Sequence, residues 1–311
     1  MYSSTGIDTS ARTLLTRYAV TGSSQGLGRA LVEEVLEAGE RAVATVRRPE
    51  SLSELSERYS VSHLLVVPLD VNNEDQIAKA FAATKEHFGR LDVVVNNAGY
   101  GIQSEIEGTP EHEARRIVET LFWGPVHITK EAIKFLRDVN PPGHGGRVLN
   151  ISSAGGYIGN ATRAYYNAGK FALEGFTESF TKEMLPEWNI KGVIIEPGGF
   201  RTEWGGSSML RLPIHPAYDK PHAPGVRFRE MTKTPVFIGD PHKAARAMIQ
   251  VASMPDPPLR VQLGTDALVL VRNKARMTLR DNERYEELAH STNADGVDKD
   301  QVMTRLAEAS K

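Results

Sequence analysis

The sequence predicts a three-layer α/β/α fold, a single domain on a doubly wound parallel sheet. Three observations lead there. Short apolar blocks alternate with segments of helical spacing from Arg17 to about Lys191. The blocks are apolar throughout, the pattern of strands covered on both faces. A glycine-rich turn, Thr21-Gly22-Ser23-Ser24-Gln25-Gly26-Leu27-Gly28, follows the first block and opens the first helix. Right-handed crossovers between such strands wind the sheet outward in both directions, the Rossmann-type arrangement.

The elements follow in order. Tyr18–Thr21 is a strand. Leu27–Ala38 is a helix with Leu27, Ala30, Leu31, Val35 and Ala38 at helical spacing, and Gly39 is its C-cap candidate. Ala42–Val46 is a strand, and a helix near Pro49–Tyr59 starts at its proline. Leu64–Leu69 is a buried strand ending at Asp70, Asp75–Phe88 a helix, and Leu91–Asn96 a strand. One long helix is expected from about Pro110 to Leu136. The strand Arg147–Ile151, the helix Ala164–Leu185 and the strand Gly192–Glu196 come next. Thr202–Gly239, rich in Pro, Gly and His, breaks the rhythm before a helix at Pro241–Ala252. Leu259–Leu263 is a last strand and Thr265–Arg280 a closing helix. Residues 1–16 read as an N-terminal extension, 17–290 as the dinucleotide-binding domain, and 291–311 as a polar tail with room for a short helix at Gln301–Ala309.

Composition narrows the function. Zero cysteines exclude disulfides, thiolate metal sites and thiol catalysis. A net charge of −2 gives no reason to expect nucleic acid or an acidic membrane surface as partner. No apolar run approaches the roughly 18 residues of a membrane helix, and Met1–Arg17 lacks the apolar core of a signal peptide. A cytoplasmic protein is the default expectation. The nine His are scattered without HExxH-type spacing, so no metal site is expected.

The chemistry is carried by Tyr166 and Lys170. Four apart on a helix, they share one face. An ammonium beside a phenol favours the phenolate, so the Tyr166 pKa is expected to fall. Such a tyrosine can exchange a proton with a carbonyl or alcohol oxygen near neutral pH. Ser153 lies thirteen residues upstream, at the end of a strand. In the turn, glycines let the backbone bend sharply and approach a ligand. The helix from Leu27 then presents its free N–H groups to a phosphate.

With Asn96-Asn97-Ala98-Gly99 between them, these motifs resemble the short-chain dehydrogenase/reductase family in its unextended form. The likeness runs from about Arg17 to about Asn273. Gly-x-x-x-Gly-x-Gly departs from the spacing of the epimerase-like members, so a sugar-nucleotide epimerase or dehydratase is disfavoured. The stretch Pro257–Ala267 is similar to a branch near the retinol and hydroxysteroid dehydrogenase types.

The resemblance implies roles residue by residue. Tyr166 is the acid/base, Lys170 lowers its pKa and binds the nicotinamide ribose, and Ser153 polarises the substrate oxygen. Tyr165 lacks a lysine four residues on and reads as packing. Thr21, Gly22, Ser24, Gln25, Gly26, Leu27 and Gly28 belong to the cofactor turn. Asp70 and Val71 resemble the adenine contact, Asp70 reading otherwise as an acid near a helix N-cap. Asn97, Ala98 and Gly99 pack against the cofactor. Pro197, Gly198, Phe200 and Thr202 resemble the loop that meets the nicotinamide amide and pyrophosphate. At the end of the second strand, Val46 stands where an acid would bind the ribose of NAD, and Arg47 and Arg48 follow. A guanidinium there pairs with a 2′-phosphate, which favours NADP(H) over NAD(H) unless both arginines are surface charges.

One position departs from the pattern. The family's catalytic asparagine falls on Leu121, which has no hydrogen-bonding group. The proton relay is then in doubt, and a dinucleotide-binding protein without turnover stays open as an alternative. The segment Glu203–Gly239 corresponds to the substrate lid, and Trp204, Met209, Leu210, Leu212, Ile214, Tyr218, Phe228 and Met231 make it apolar. They either cover a bulky apolar carbonyl or alcohol, or seal a core or subunit contact of a homodimer or homotetramer. Trp123 and Tyr157 either add to the pocket or pack.

Overall fold

The computed structural model describes residues 15–232 and 237–309. Residues 1–14 of the extension, 233–236 of the lid segment and 310–311 of the tail lie outside the described residues. The strands are β1 (Arg17–Thr21), β2 (Arg41–Val46), β3 (Leu64–Pro68), β4 (Val93–Asn96), β5 (Gly101–Gln103), β6 (Gly146–Ile151), β7 (Ile190–Pro197), β8 (Met209–Arg211) and β9 (Arg260–Leu263). Seven of them form one parallel sheet in the order β3-β2-β1-β4-β6-β7-β9. The chain thus winds outward from β1 to one edge, returns, and winds to the other edge from β4, leaving a crevice at the reversal between β1 and β4.

Helices cover both faces. In chain order they are α1 (Gly26–Glu37), α2 (Ser53–Arg58), α3 (Glu74–Phe88), α4 (Glu111–Val118), α5 (Gly124–Asp138), α6 (Ala164–Glu183), α7 (Pro224–Met231), α8 (Pro241–Ser253), α9 (Thr265–Arg284), α10 (Glu286–His290) and α11 (Lys299–Ala309). One core places Leu31 and Val35 of α1 with Met248 and Val251 of α8 against Val20, Val95 and Val193. The other places Ile77, Ile128, Phe135 and Phe180 against Val94 and Val148. Successive strand residues alternate between these cores, which is why the strands read as unbroken apolar runs.

Three features differ from the sequence reading. The long middle helix is divided by a π-helical turn at Glu119–Trp123. A parallel pair, β5 with β8, ties the chain after β4 to the lid in the register Gly101↔Met209. The closing helix α9 runs on to Arg284. α1 ends at Glu37 with Ala38 as its cap, and Gly39 follows at φ +76°. Among the described residues no helix is long and apolar enough to cross a membrane, and no group of three His, Asp or Glu is spaced to hold a metal ion.

Candidate active site

A cleft of about 750 Å3 runs over the carboxyl ends of the strands. At one end is the glycine turn. Gly22 has φ +66°, and a Cβ there would stand 2.8 Å from the Ala98 Cα. A Cβ on Gly28 would stand 2.3 Å from the Asn97 Nδ2 and 2.5 Å from the Gly22 carbonyl oxygen. Only bare backbone fits at either place. Asn97 braces the turn by donating to the Thr21 and Gly22 carbonyls at 2.8 and 3.2 Å. No side chain caps α1, so its first N–H groups are left for a ligand where Gly26 and Leu27 line the cleft. These features fit a dinucleotide phosphate.

Of the residues assigned to the cofactor, Thr21 and Gly28 lie behind the wall. Thr21 is buried, and its hydroxyl accepts from the Asn97 and Ala98 N–H groups at 2.9 and 3.0 Å. The others line the cleft. Arg47 is exposed there, whereas Arg48 lies outside it and its carbonyl accepts from Ser51. Asp70 is no helix cap: its Oδ1 accepts from the Asn72 N–H at 3.0 Å, and Asn73 caps α3.

At the other end Ser153, Tyr166 and Lys170 converge. Ser153 caps a single turn, its Oγ accepting from the Gly155 N–H at 3.0 Å. Asn167 fastens that turn to α6 by donating to the Gly155 and Ile158 carbonyls at 2.6 and 3.1 Å. Lys170 Nζ donates to the Ile151 carbonyl at 2.5 Å. The expected fall of the Tyr166 pKa is corrected here. Burial pushes it up, and the Ser153 hydroxyl and the Arg163 guanidinium only partly oppose this. The Lys170 ammonium is occupied by Ile151, and burial brings it down to about 8 against the pull of Glu174. Tyr166 therefore rests as a neutral phenol, able to donate a proton to an oxygen that gains negative charge.

Leu121 lies on the π-helical turn and is fully buried. A Cβ on Gly169 would stand 3.1 Å from the Leu121 Cβ, and one on Gly99 would stand 2.9 Å from the Leu121 Cδ2 and 4.0 Å from the Lys170 Nζ. An aliphatic side chain thus fills the space beside Lys170. Trp204 covers Tyr166 and, with Met209 and Leu210, lines the cleft. Leu212 and Tyr165 both pack against the buried cluster of Ile102, Ile117, Leu121 and Tyr166, so part of the lid is core and Tyr165 is packing. Trp123 is no pocket residue: it is 45% exposed, with its ring against Phe122 and His127. Met231 is exposed as well. The lid is held from below, where Glu105 accepts from Arg229 Nη2 at 2.9 Å and Nε at 3.1 Å. Across the mouth Gln25 Nε2 donates to the Ser208 Oγ at 2.7 Å. Tyr100 and Arg116 also line the cleft; sequence reasoning gave them no role, since neither lies in a motif.

A family profile described as short chain dehydrogenase matches residues 17–210. The chain belongs to the short-chain dehydrogenase family. An uncharacterized oxidoreductase of Schizosaccharomyces pombe is 37% identical to it over 290 residues, 92% of this chain and 94% of the relative. A 3-ketodihydrosphingosine reductase of Bacteroides thetaiotaomicron is 30% identical over 265 residues, 85% of this chain and 93% of the relative. A solved short-chain dehydrogenase from Streptomyces avermitilis matches with a TM-score of 0.81 at 33% identity, over 90% of this chain and 99% of that one. Short-chain dehydrogenases are oxidoreductases that bind a nicotinamide dinucleotide, and the cleft described above is where this one has room for it.

Proposed function

We propose that this short-chain dehydrogenase interconverts a carbonyl and an alcohol with NADP(H), using Tyr166 as acid/base. One observation carries the reading: Tyr166, Lys170 and Ser153 meet at one end of a cleft whose other end is the uncapped glycine turn. When bound, the nicotinamide supplies or accepts a hydride. The glycine turn would hold the phosphates, and Arg47 the 2′-phosphate that distinguishes NADP from NAD. The Ser153 hydroxyl would orient the substrate oxygen. The Tyr166 hydroxyl would give that oxygen a proton in reduction and take it back in oxidation. Trp204, Met209, Leu210 and Leu121 make the substrate end largely apolar, which suits an apolar carbonyl compound. The Bacteroides relative, named as a reductase of a keto compound, supports that class.

Leu121 favours a second reading, a dinucleotide-binding protein without turnover, because no polar side chain stands in the family asparagine's place. NADPH oxidation followed against a panel of ketones and aldehydes tests the choice. Consumption with at least one carbonyl, lost in Tyr166→Phe, supports the enzyme. Tight NADPH binding with no consumption across the panel supports the second reading.

A further inference from the structure

Behind the end of β6 lies a pair of ionisable groups that the proposed reaction does not use. Glu174 follows Lys170 by one turn of α6, and Glu196 is on β7; both are buried, Glu196 completely. The Ser152 hydroxyl donates to Glu174 Oε1 at 2.6 Å, and the Gln262 side chain on β9 donates to Glu196 Oε2. The two carboxyls flank the same Arg260 Nε, yet Glu196 Oε1 has no donor among the described residues. Arg260 does not supply one. Its Nε stands 3.6 Å from Glu174 and 3.8 Å from Glu196, and its Nη2 bonds Glu178 at 2.9 Å. Two carboxylates in buried contact repel. A proton on either one turns the contact into a hydrogen bond and satisfies the free oxygen.

We propose that Glu174 and Glu196 share one proton and act as a positioning pair that sets the charge on Lys170. This rests on the role given to Lys170 above. The charged groups facing the pair are Lys170 and Glu178 on α6 and Arg260 on β9; Ser152 and Gln262 are neutral. Gly156 closes the remaining side, where a Cβ would stand 2.2 Å from both Glu174 Oε1 and Ser152 Oγ. Arg260 bonds Glu178 and stands within salt-bridge range of both carboxyls, and Glu174 pulls upward on Lys170. Burial raises Glu174 to about 7; Ser152 opposes the rise, the Glu196 charge adds to it and Arg260 opposes it. Glu174 thus gains its negative charge near neutrality. That charge arrives as Lys170 approaches its own titration, and it holds the ammonium charged to higher pH. Leu121 beside Lys170 is aliphatic and the Ile151 carbonyl is neutral, so Glu174 is the ionisable neighbour that acts on Lys170.

Glu174→Gln and Glu196→Gln test the proposal without turnover. Each amide keeps the shape and can donate to the remaining carboxylate, which then holds one fixed charge. Infrared spectra of the wild type on the acid side of neutrality should show a protonated-carboxyl C=O band that either variant removes. NMR of lysine-labelled protein, with Lys170 assigned through Lys170→Met, should show its midpoint lowered by about one pH unit in either variant. If either variant fails to fold, the wild type decides. Its carboxyl band must vanish over the interval in which the Lys170 resonance shows an extra inflection, near pH 7. Absence of the band, or an unchanged Lys170 midpoint in folded variants, or a single inflection, overturns the proposal. Because no readout needs a substrate, retained turnover in Tyr166→Phe would overturn the catalytic reading and leave these measurements standing.

Discussion

The Trp204 ring lies 5.2 Å from the Tyr166 ring, centroid to centroid, tilted by 54°. Trp204 stands in the turn that Thr202 caps, its N–H bonding the Thr202 hydroxyl at 3.3 Å. One turn thus joins Thr202 to the ring that covers Tyr166. Trp204→Ala should remove part of the burial that raises the phenol, so the alkaline limb of kcat/KM for reduction should move to lower pH. Loss of an aromatic contact worth about 1 kcal/mol should raise KM for apolar carbonyls roughly fivefold, and Trp204→Phe should keep most of it. An unchanged pH profile together with an unchanged KM would refute the role.

Tyr166→Phe removes only a hydroxyl. Dinucleotide binding and thermal stability should persist while turnover drops by at least about a hundredfold. Lys170→Met should lower turnover and weaken dinucleotide binding together. Stopped-flow single turnover separates the two effects.

Arg47 is exposed at the cleft edge and makes no hydrogen bond or ion pair among the described residues. Arg47→Ala should weaken NADP binding by about one to two decades, the roughly 1.5–3 kcal/mol of a charge-assisted pair. NAD binding should barely change. Equal losses for both dinucleotides in a calorimetric titration would count against the 2′-phosphate assignment.

Leu121→Asn places an amide between Gly99 and Gly169, beside Lys170. If its partners are not met, burial of that amide should cost about 1–3 kcal/mol of stability. Where proton supply limits turnover, the amide should restore a link to Lys170. The rate should rise and the solvent isotope effect shrink. A folded variant with neither change would mark Leu121 as a packing residue only.

Stability should follow pH in two opposite intervals. Glu174 is raised from 4.5 to about 7, so between these values the folded chain holds a proton that the unfolded chain has released. Stability then falls as pH rises across that interval. Lys170 is lowered from 10.5 to about 8, so between these values the unfolded chain holds the extra proton and stability rises with pH. Urea midpoints measured across both intervals should lose the first slope in Glu174→Gln and the second in Lys170→Met.

Much of this was legible because it is local. The glycine turn, the Tyr166–Lys170 spacing and the apolar strands each lie within one contiguous stretch, and backbone geometry translates them directly into shape. The β5–β8 pair was not legible. Three residues carry no periodicity, and Gly101 pairs with Met209, which lies beyond the whole catalytic region in sequence. The π-helical turn at Glu119–Trp123 left no mark in a sequence whose apolar spacing continues through it. The direction of the Tyr166 shift was misread because sequence shows the neighbouring lysine but not the depth of burial. Glu174 and Glu196 are two unremarked acids until α6 packs over β7. Trp123, open between pocket and packing in the sequence, is a large aromatic that faces outward.

The hydrogen bond from Gln25 to Ser208 joins the phosphate turn to the lid. It is neutral and near solvent, worth about 0.5–1.5 kcal/mol, so it biases the mouth toward closure by roughly tenfold at most. It does not bar entry. A dinucleotide seated on the turn would compete for Gln25 and release Ser208, freeing the lid for the second reactant. The tether would then favour arrival of the dinucleotide before the second reactant, by no more than that factor.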